Sequence, residues 1–494
     1  MTTHVFTTVR PYVSVGSETD VLRTGEAGGM VIRGGVLRGA GYGAGILLGA
    51  ATSVLLLRHL GVDDFGRYGI VVALVGIVSA VTDAGLTAVG SRELAILPAA
   101  ERPALLRNLV ALRNLLTAAG VVVAVGFAAV TGYPGVVVAG TAVAGLGVLL
   151  LNTQSTLMMP LSIELRLGAI TLFETLRHAL TLAGVAVLVL AGASLLPFFG
   201  VQVAVGLAVL LLTPFAVAVV RPRLKRAQAW ELLRESLPLA AALAMNVVYL
   251  RLLVILVSMQ TGETETGLFA TSFRIFEILL GIPTLVLAVA LPLLAVAGAE
   301  DRPRLRYALQ RMTETAVVAS LLLVLVTVVL AEPAIVLLGG EEYRDAAPIL
   351  QVQSFALLGV FLSQVWTLAL VSLRRQRDVA VANGIALAAV LVVGLVLVAA
   401  FEGIGGAAAA VATEALLALL LLGLLARAGR DVLPSLAFLP RPLLAGVAGA
   451  LVALLPLSPW LVAPLAGAVF LGVAFLVGAV PPEVLPALRG RKPE

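Results

Sequence analysis

The chain has 494 residues, 60% hydrophobic and only 12% charged, with a mean hydropathy of +1.09 and a net charge of +5. A water-soluble domain of this length needs far more surface charge, so the composition excludes one and defines an all-α polytopic membrane protein. Cysteine is absent, which excludes disulfides, thiolate catalysis and Cys-ligated metals.

Residues 1–33 are mixed and polar, carry Arg10, Arg23 and Arg33, and lack the apolar run and cleavage site of a signal peptide. They are expected to form a cytoplasmic tail, with the first helix as an uncleaved insertion signal. A helical span needs about 20 apolar residues, and by that rule about fourteen stretches follow. They lie near 36–59, 66–90, 107–130, 135–158, 169–191, 195–220, 237–259, 267–297, 313–337, 346–373, 379–401, 406–427, 441–457 and 460–480. Segments of about 10 residues with alternating polarity, the mark of a membrane barrel, do not occur.

The gaps between spans alternate in charge. Those on the side of the N-terminal tail carry Arg92, Arg102 and Arg107; then Arg166; then Arg221, Arg223, Lys225, Arg226 and Arg234. Later gaps on that side carry Arg302, Arg304, Arg306 and Arg311, then Arg374, Arg375 and Arg377, then Arg427, Arg430 and Arg441. The opposite gaps read VDDFGRY, TGYP, GASL, TGETETG, GGEEYRD, FEG and LSP. Excess Arg marks cytoplasmic loops, so an even number of spans is expected, with both termini cytoplasmic. The basic residues follow this orientation rule and give no reason to expect a nucleic-acid partner. The loops are too short for a nucleotide-binding module and contain no Walker-type sequence.

An internal repeat refines the plan. Glu101-Arg102-Pro103 with Leu105 and Leu109 recurs as Asp301-Arg302-Pro303 with Leu305 and Leu309. Gly61, Gly66, Tyr68 and Gly69 recur as Gly262, Gly267, Phe269 and Ala270. Six helices per unit is an even number, so the two copies run parallel across the membrane. The expected organisation is a tail over 1–33, a six-helix bundle over 34–221, a linker over 222–236, a second bundle over 237–430, a helix pair over 431–480 and a cytoplasmic tail over 481–494.

Ionisable groups at membrane depth are costly and face a protein interior or a watery cavity. Here they are Glu174, Arg177 and His178 in the fifth span, Arg251 in the seventh, Arg274 and Glu277 in the eighth, and Glu414 in the twelfth. Glu174 with Arg177, and Arg274 with Glu277, stand three residues apart and can neutralise one another on one helix face. Arg251 has no carboxylate within a turn, which makes it the stronger ligand candidate. Asp83 and Arg113 lie nearer the inner boundary, where Arg113 is expected to snorkel. Guanidinium forks match phosphate oxygens, so a phosphate or pyrophosphate head is the natural ligand for Arg251, Arg274 and Arg177, with Asn246 and Gln351 as polar cavity surface. Glu174, Glu277, Glu414 and His178 are candidates for ion coupling or for structural salt bridges. Asn152, Gln154, Gln202, Gln353, Gln364 and Asn383 either line a cavity or tie helices together. Pro214, Pro283 and Pro292 are expected to bend their helices. No catalytic residue, metal or cofactor is expected.

Several passages resemble the polysaccharide-transport flippases of the multidrug/oligosaccharidyl-lipid/polysaccharide exporter superfamily. They are LRHLGVDDFGRYG at 57–69, TDAGLTAVGSREL at 82–94, the stretch 248–292, LGGEEYRDAAPIL at 338–350 and FEGIGGAAAAVATE at 402–414. The resemblance implies two six-helix bundles around a central cavity, plus two C-terminal helices. It also implies alternating access in the cytoplasmic membrane and a polyprenyl-pyrophosphate-linked oligosaccharide as substrate. The implied partners are a glycan polymerase or glycosyltransferases, and the chain is expected to be monomeric. Many relatives carry an Asp after the Arg of the seventh helix; Leu252 stands there in this chain. A lipid II flippase and a multidrug cation antiporter of the same superfamily stay open as alternatives. A membrane glycosyltransferase or glycan polymerase using Asp63-Asp64 with a metal is a third, from a different class.

Overall fold

The computed structural model describes the backbone of residues 25–83, 85–164, 166–300, 302–429 and 431–480. Every regular element among them is helical, in the order α1 (Gly25–Asp83), α2 (Leu86–Ile96), α3 (Arg102–Val130), α4 (Gly135–Leu157), α5 (Met159–Ile163), α6 (Leu167–Leu190) and α7 (Leu195–Leu212). After a linker follow α8 (Arg226–Gln260), α9 (Glu263–Glu300), α10 (Arg302–Gly339), α11 (Ala346–Ser354), α12 (Ala356–Ser372), α13 (Gln376–Ala428), α14 (Pro440–Val452) and α15 (Pro459–Leu476).

Two of these helices contain a reversal. In α1 the backbone breaks at Gly61, whose φ of 71° is open to glycine at no steric cost. Residues 49–56 and 65–73 then line one cavity, which a straight helix rising 1.5 Å per residue would not permit. In α13 the break falls at Glu402, a non-glycine residue held at φ 51°, and the chain doubles back so that Gly405 lies against the backbone of Leu397. With both limbs counted, most apolar stretches expected from the sequence fall on one helical limb, while 66–90 is broken at Gly85 and 346–373 is divided between α11 and α12. Nine helices among the described residues are long and apolar enough to cross a membrane.

The boundaries differ from expectation in three places. Helix α1 already begins at Gly25, inside the stretch expected to be tail, and residues 62–68 are helical rather than an open turn. Pro214 ends α7 in a short 3-10 turn instead of bending it, because a proline withholds the N–H that the next turn needs. Helix α14 is 13 residues long, short of a full span. The C-terminal tail expected over 481–494 lies outside the described residues.

The molecule is apolar on its outside. Leu47, Val122, Leu190 and Leu476 are all more than 70% exposed, a surface that only lipid can cover without penalty. The repeated sequence positions take matching places. Arg102 and Arg302 open α3 and α10, and Leu105, Leu109, Leu305 and Leu309 are all buried. Helices α1, α3, α4, α6 and α7 form one half, while α8 to α13 form the other. The pair α14–α15 packs on α10 through Ala445, Ala466, Phe470 and Ala474.

Candidate functional site

A cavity of about 270 Å³ lies between the halves. Each wall is one helical face, as the spacing shows. The first limb of α1 presents Gly49, Thr52, Ser53 and Leu56, and its second limb presents Phe65, Tyr68, Gly69, Val72 and Ala73. Helix α9 presents Ala270, Phe273, Arg274 and Glu277. Positions three, four and seven apart share a face at 3.6 residues per turn. Arg177, His178 and Thr181 come from α6, Gln202 and Val205 from α7, Leu151 from α4, and Arg251 and Val254 from α8.

Five of the ionisable residues singled out from the sequence therefore meet here. Glu277 is the hub: Arg251 Nη2 donates to its Oε1 at 2.7 Å, and Arg274 Nη1 approaches its Oε2 at 3.3 Å. Arg274 Nε also donates to Ser53 Oγ at 3.0 Å, which ties α9 to α1. The Arg251 guanidinium lies along the second limb of α1 at Gly76, where an added Cβ would stand 2.6 Å from Nε. Arg177 and His178 make no hydrogen bond or ion pair through their side chains among the described residues. Three guanidiniums thus face one carboxylate, and the cavity is cationic.

The structure corrects two pairings. Arg251 has a carboxylate partner after all, contributed by the neighbouring helix. Glu174 is exposed on α6 and forms no ion pair with Arg177 among the described residues, because Arg177 turns to the cavity while Glu174 turns away. Arg113 does not snorkel either. It is 4% exposed and donates to Asp83 at 2.5 Å and to Thr156 Oγ1 at 3.0 Å. Asn152 joins the same network through Thr117 and Thr82, so this cluster fastens α1, α3 and α4 together.

The remaining candidates lie apart from the cavity. Glu414 is buried within the second half, where it accepts a hydrogen bond from Tyr249 and packs beneath Gly359. Gln351 donates to the Val328 carbonyl at 3.2 Å, and Gln353 accepts from Ser272 at 2.7 Å, so both join helices. The side chain of Asn246 lies outside the described residues. Asp63 and Asp64 are occupied in another way, described next. Sequence reading missed Ser53 and Tyr68 as cavity wall. The run Gly49, Thr52, Ser53 on one face of an otherwise aliphatic limb was the available signal.

One end of the cavity is closed by a seam between the halves, at the end of the molecule whose connectors are poor in arginine. Gly66 packs on Gly267 so tightly that an added Cβ would stand 2.8 Å from the Gly267 nitrogen. Around that contact, Arg67 binds Glu263 through Nε at 3.0 Å and Nη2 at 2.5 Å, and Asp64 at 2.7 Å. Thr264 donates to Asp63 at 2.7 Å, Tyr343 to the Leu57 carbonyl at 3.0 Å and Arg58 to the Leu337 carbonyl at 2.8 Å. At the arginine-rich end, Ala229 and Leu232 in the first turns of α8 pack with residues of α2, α3 and α5.

Two helical halves, a charged cavity between them and a seam across one end define the fold of a polytopic α-helical membrane protein. The family described as polysaccharide biosynthesis protein matches over residues 55–348, well over half of the chain, and this protein belongs to that family. Among solved structures, lipid II flippase MurJ in an inward closed conformation is similar with a TM-score of 0.71 at 11% identity, over 90% of this chain and 98% of that one. An inward-facing multidrug resistance MATE family transporter of the MOP superfamily gives 0.64 at 14% identity, over 78% and 94%. The eukaryotic MATE transporter AtDTX14 gives 0.58 at 16% identity, over 82% and 97%. No curated protein matches the sequence. The resemblance read from the sequence is borne out for family and for fold.

Proposed function

We propose that this protein is a flippase that moves a polyprenyl-pyrophosphate-linked oligosaccharide across the cytoplasmic membrane by alternating access, with its arginine-rich end in the cytoplasm. The observation that carries the reading is the cationic cavity, in which Arg177, Arg251 and Arg274 face the single carboxylate of Glu277. Guanidinium is permanently charged and presents paired donors to phosphate oxygens. A cavity with excess positive charge repels cations, which disfavours a multidrug cation antiporter. A lipid II flippase asks for the same pyrophosphate recognition and remains the nearer variant.

The physical task suits the architecture. Sugar hydroxyls and phosphates lose several kcal/mol apiece if they enter hydrocarbon without partners. A polar cavity removes that barrier while the polyprenyl chain stays in lipid. A void of about 270 Å³ holds a phosphate-sized group but not a chain of sugars, so passage needs the halves to part. No bond is made or broken in this scheme. The acidic pair Asp63-Asp64 is engaged by Thr264 and Arg67, an arrangement that favours a seam over a catalytic metal site.

The test is transfer of a fluorescent lipid-linked oligosaccharide across vesicles containing the wild type, Arg251→Ala or Arg274→Ala, at equal protein density. Each lost guanidinium–phosphate contact is expected to lower transfer at limiting substrate by about tenfold or more, from the usual worth of a charged hydrogen bond. Transfer at the wild-type rate in both variants would remove the phosphate-binding role.

A further inference from the structure

The arginine-rich end holds a second cationic concavity that the flippase reading does not use. It has a volume of about 770 Å³ and lies between the first turns of α10, the connector 431–439 and the start of α14, where the C-terminal helix pair joins the second half. Four arginines line it against two carboxylates. Arg302 is matched by Asp431 at 2.9 Å and Arg311 by Glu314 at 2.8 Å. Among the described residues Arg306 forms no ion pair, and the Arg441 side chain donates only to the Gly478 carbonyl, at 3.4 Å. The orientation rule explains why arginines occur in this connector. It does not explain why they converge from two helices on one hollow with two charges left over.

The surroundings identify the occupant. The Tyr307 ring lies 5.2 Å from the Arg311 guanidinium carbon and is half exposed, as side chains at the membrane–water boundary are. Below the hollow, Leu443, Val447 and Leu451 succeed one another at single turns of α14, each at least 50% exposed. A cationic pocket at the level of the headgroups thus continues into an apolar stripe. The volume falls within the range of about 300–1,000 Å³ common to small-ligand sites. Basic pockets between helix ends bind anionic lipid headgroups in this way.

We propose that this hollow is a binding site for an anionic glycerophospholipid, whose phosphate sits between Arg306 and Arg441 and whose acyl chains lie on the exposed face of α14. Such a lipid would clamp α14 and α15 onto α10. It is distinct from the cargo, since none of its residues lines the central cavity.

The test uses the full chain in a neutral detergent, with thermal unfolding followed during titration by dioleoylphosphatidylglycerol. A ligand that binds the folded state raises the unfolding midpoint in proportion to its occupancy. Phosphatidylglycerol is expected to raise the midpoint saturably, whereas dioleoylphosphatidylcholine and soluble glycerol 3-phosphate leave it in place. Arg306→Gln and Arg441→Gln should each weaken the apparent affinity about fivefold, the usual worth of one basic residue at such a surface. The paired variant Arg221→Gln/Arg377→Gln, which lowers the charge of the same end elsewhere, should leave it unchanged. Equal stabilisation by phosphatidylcholine, or an equal loss in the Arg221/Arg377 control, would overturn the site. Stabilisation by glycerol 3-phosphate alone would replace the lipid by a soluble phosphate ligand and overturn the proposal as stated. Should either glutamine variant fail to fold, the corresponding lysine variant, Arg306→Lys or Arg441→Lys, serves in its place: it keeps the charge but loses the planar fork, so a weakened affinity is expected, and an affinity equal to wild type would overturn the placement of the phosphate.

Discussion

Glu277 is the residue on which the cavity's charge turns. It accepts from Arg251 and Arg274 at once, so replacing it leaves two guanidiniums facing each other without a counter-charge. The side chain is 21% exposed, so the cost lies below that of a fully buried broken pair, at about 1–3 kcal/mol. Glu277→Gln is therefore expected to lower the thermal midpoint while tightening binding of a pyrophosphate-headed lipid, measured by equilibrium titration. Weaker binding instead would mean that Glu277 organises the arginines more than it offsets them. Glu414 calls for a different experiment. It is sealed beside Tyr249, away from the cavity lining. Glu414→Gln keeps an acceptor for the tyrosine hydroxyl but cannot take up a proton, so the protein should fold and transfer should lose its response to an imposed ion gradient. Full gradient dependence in the glutamine variant would assign Glu414 a purely structural role. Both residues were visible in the sequence as charges too deep in apolar stretches to be accidental. The partner of Arg251 was not visible, since Glu277 stands on another helix, 26 positions away. Helical spacing reports neighbours on one helix only. It placed Glu174 beside Arg177, yet the two point to different surroundings.

At the scale of elements, α1 explains more than any other helix. Its first limb packs on α6 and its second limb meets α8 and α9, so one reversal at Gly61 brings both halves to the cavity. The sequence marked VDDFGRY at 62–68 as a gap between the first two spans. Those residues turned out to be mostly helical, because the reversal needs a single non-helical residue and the helix resumes at once. The glycines recurring in the two repeats proved to be a contact between copies: Gly66 meets Gly267, and Gly69 meets Ala270. A repeat in the sequence fixes which positions are equivalent but not that the equivalent faces touch. Because Gly267 lies against the Val62 carbonyl, Gly267→Val has no room for its side chain, and the seam must separate. In the absence of native cysteine, a single Gly49→Cys on the cavity wall reports access, since nothing lies within 4 Å of an added Cβ there. Its labelling by a membrane-impermeant maleimide from the arginine-poor side should speed up when Gly267→Val is added. An unchanged rate would show that the glycine contact is not what closes that end.

For the whole molecule, the question is whether the seam can part at a cost that a transport cycle can meet. The Arg67 cluster is about one-third exposed, so its ion pairs are each worth about 0.2–1 kcal/mol after screening. The remaining crossing hydrogen bonds contribute about 1 kcal/mol apiece. Those polar sums are small, so the larger cost of opening this end is parting the apolar packing of α1 on α8 and α9. Asp63 and Thr264 sit on opposite sides of the seam, with their side-chain oxygens 2.7 Å apart, and neither lines the cavity. Replacing both with cysteine in this cysteine-free chain gives a pair that a short bifunctional, reducible thiol reagent can bridge. Cross-linking should stop glycolipid transfer in vesicles, and a reductant should restore it. Either single cysteine treated in the same way should transfer normally, because no bridge forms. Continued transfer by the bridged protein would mean that the arginine-poor end stays shut throughout, and that cargo leaves the cavity sideways between helices instead.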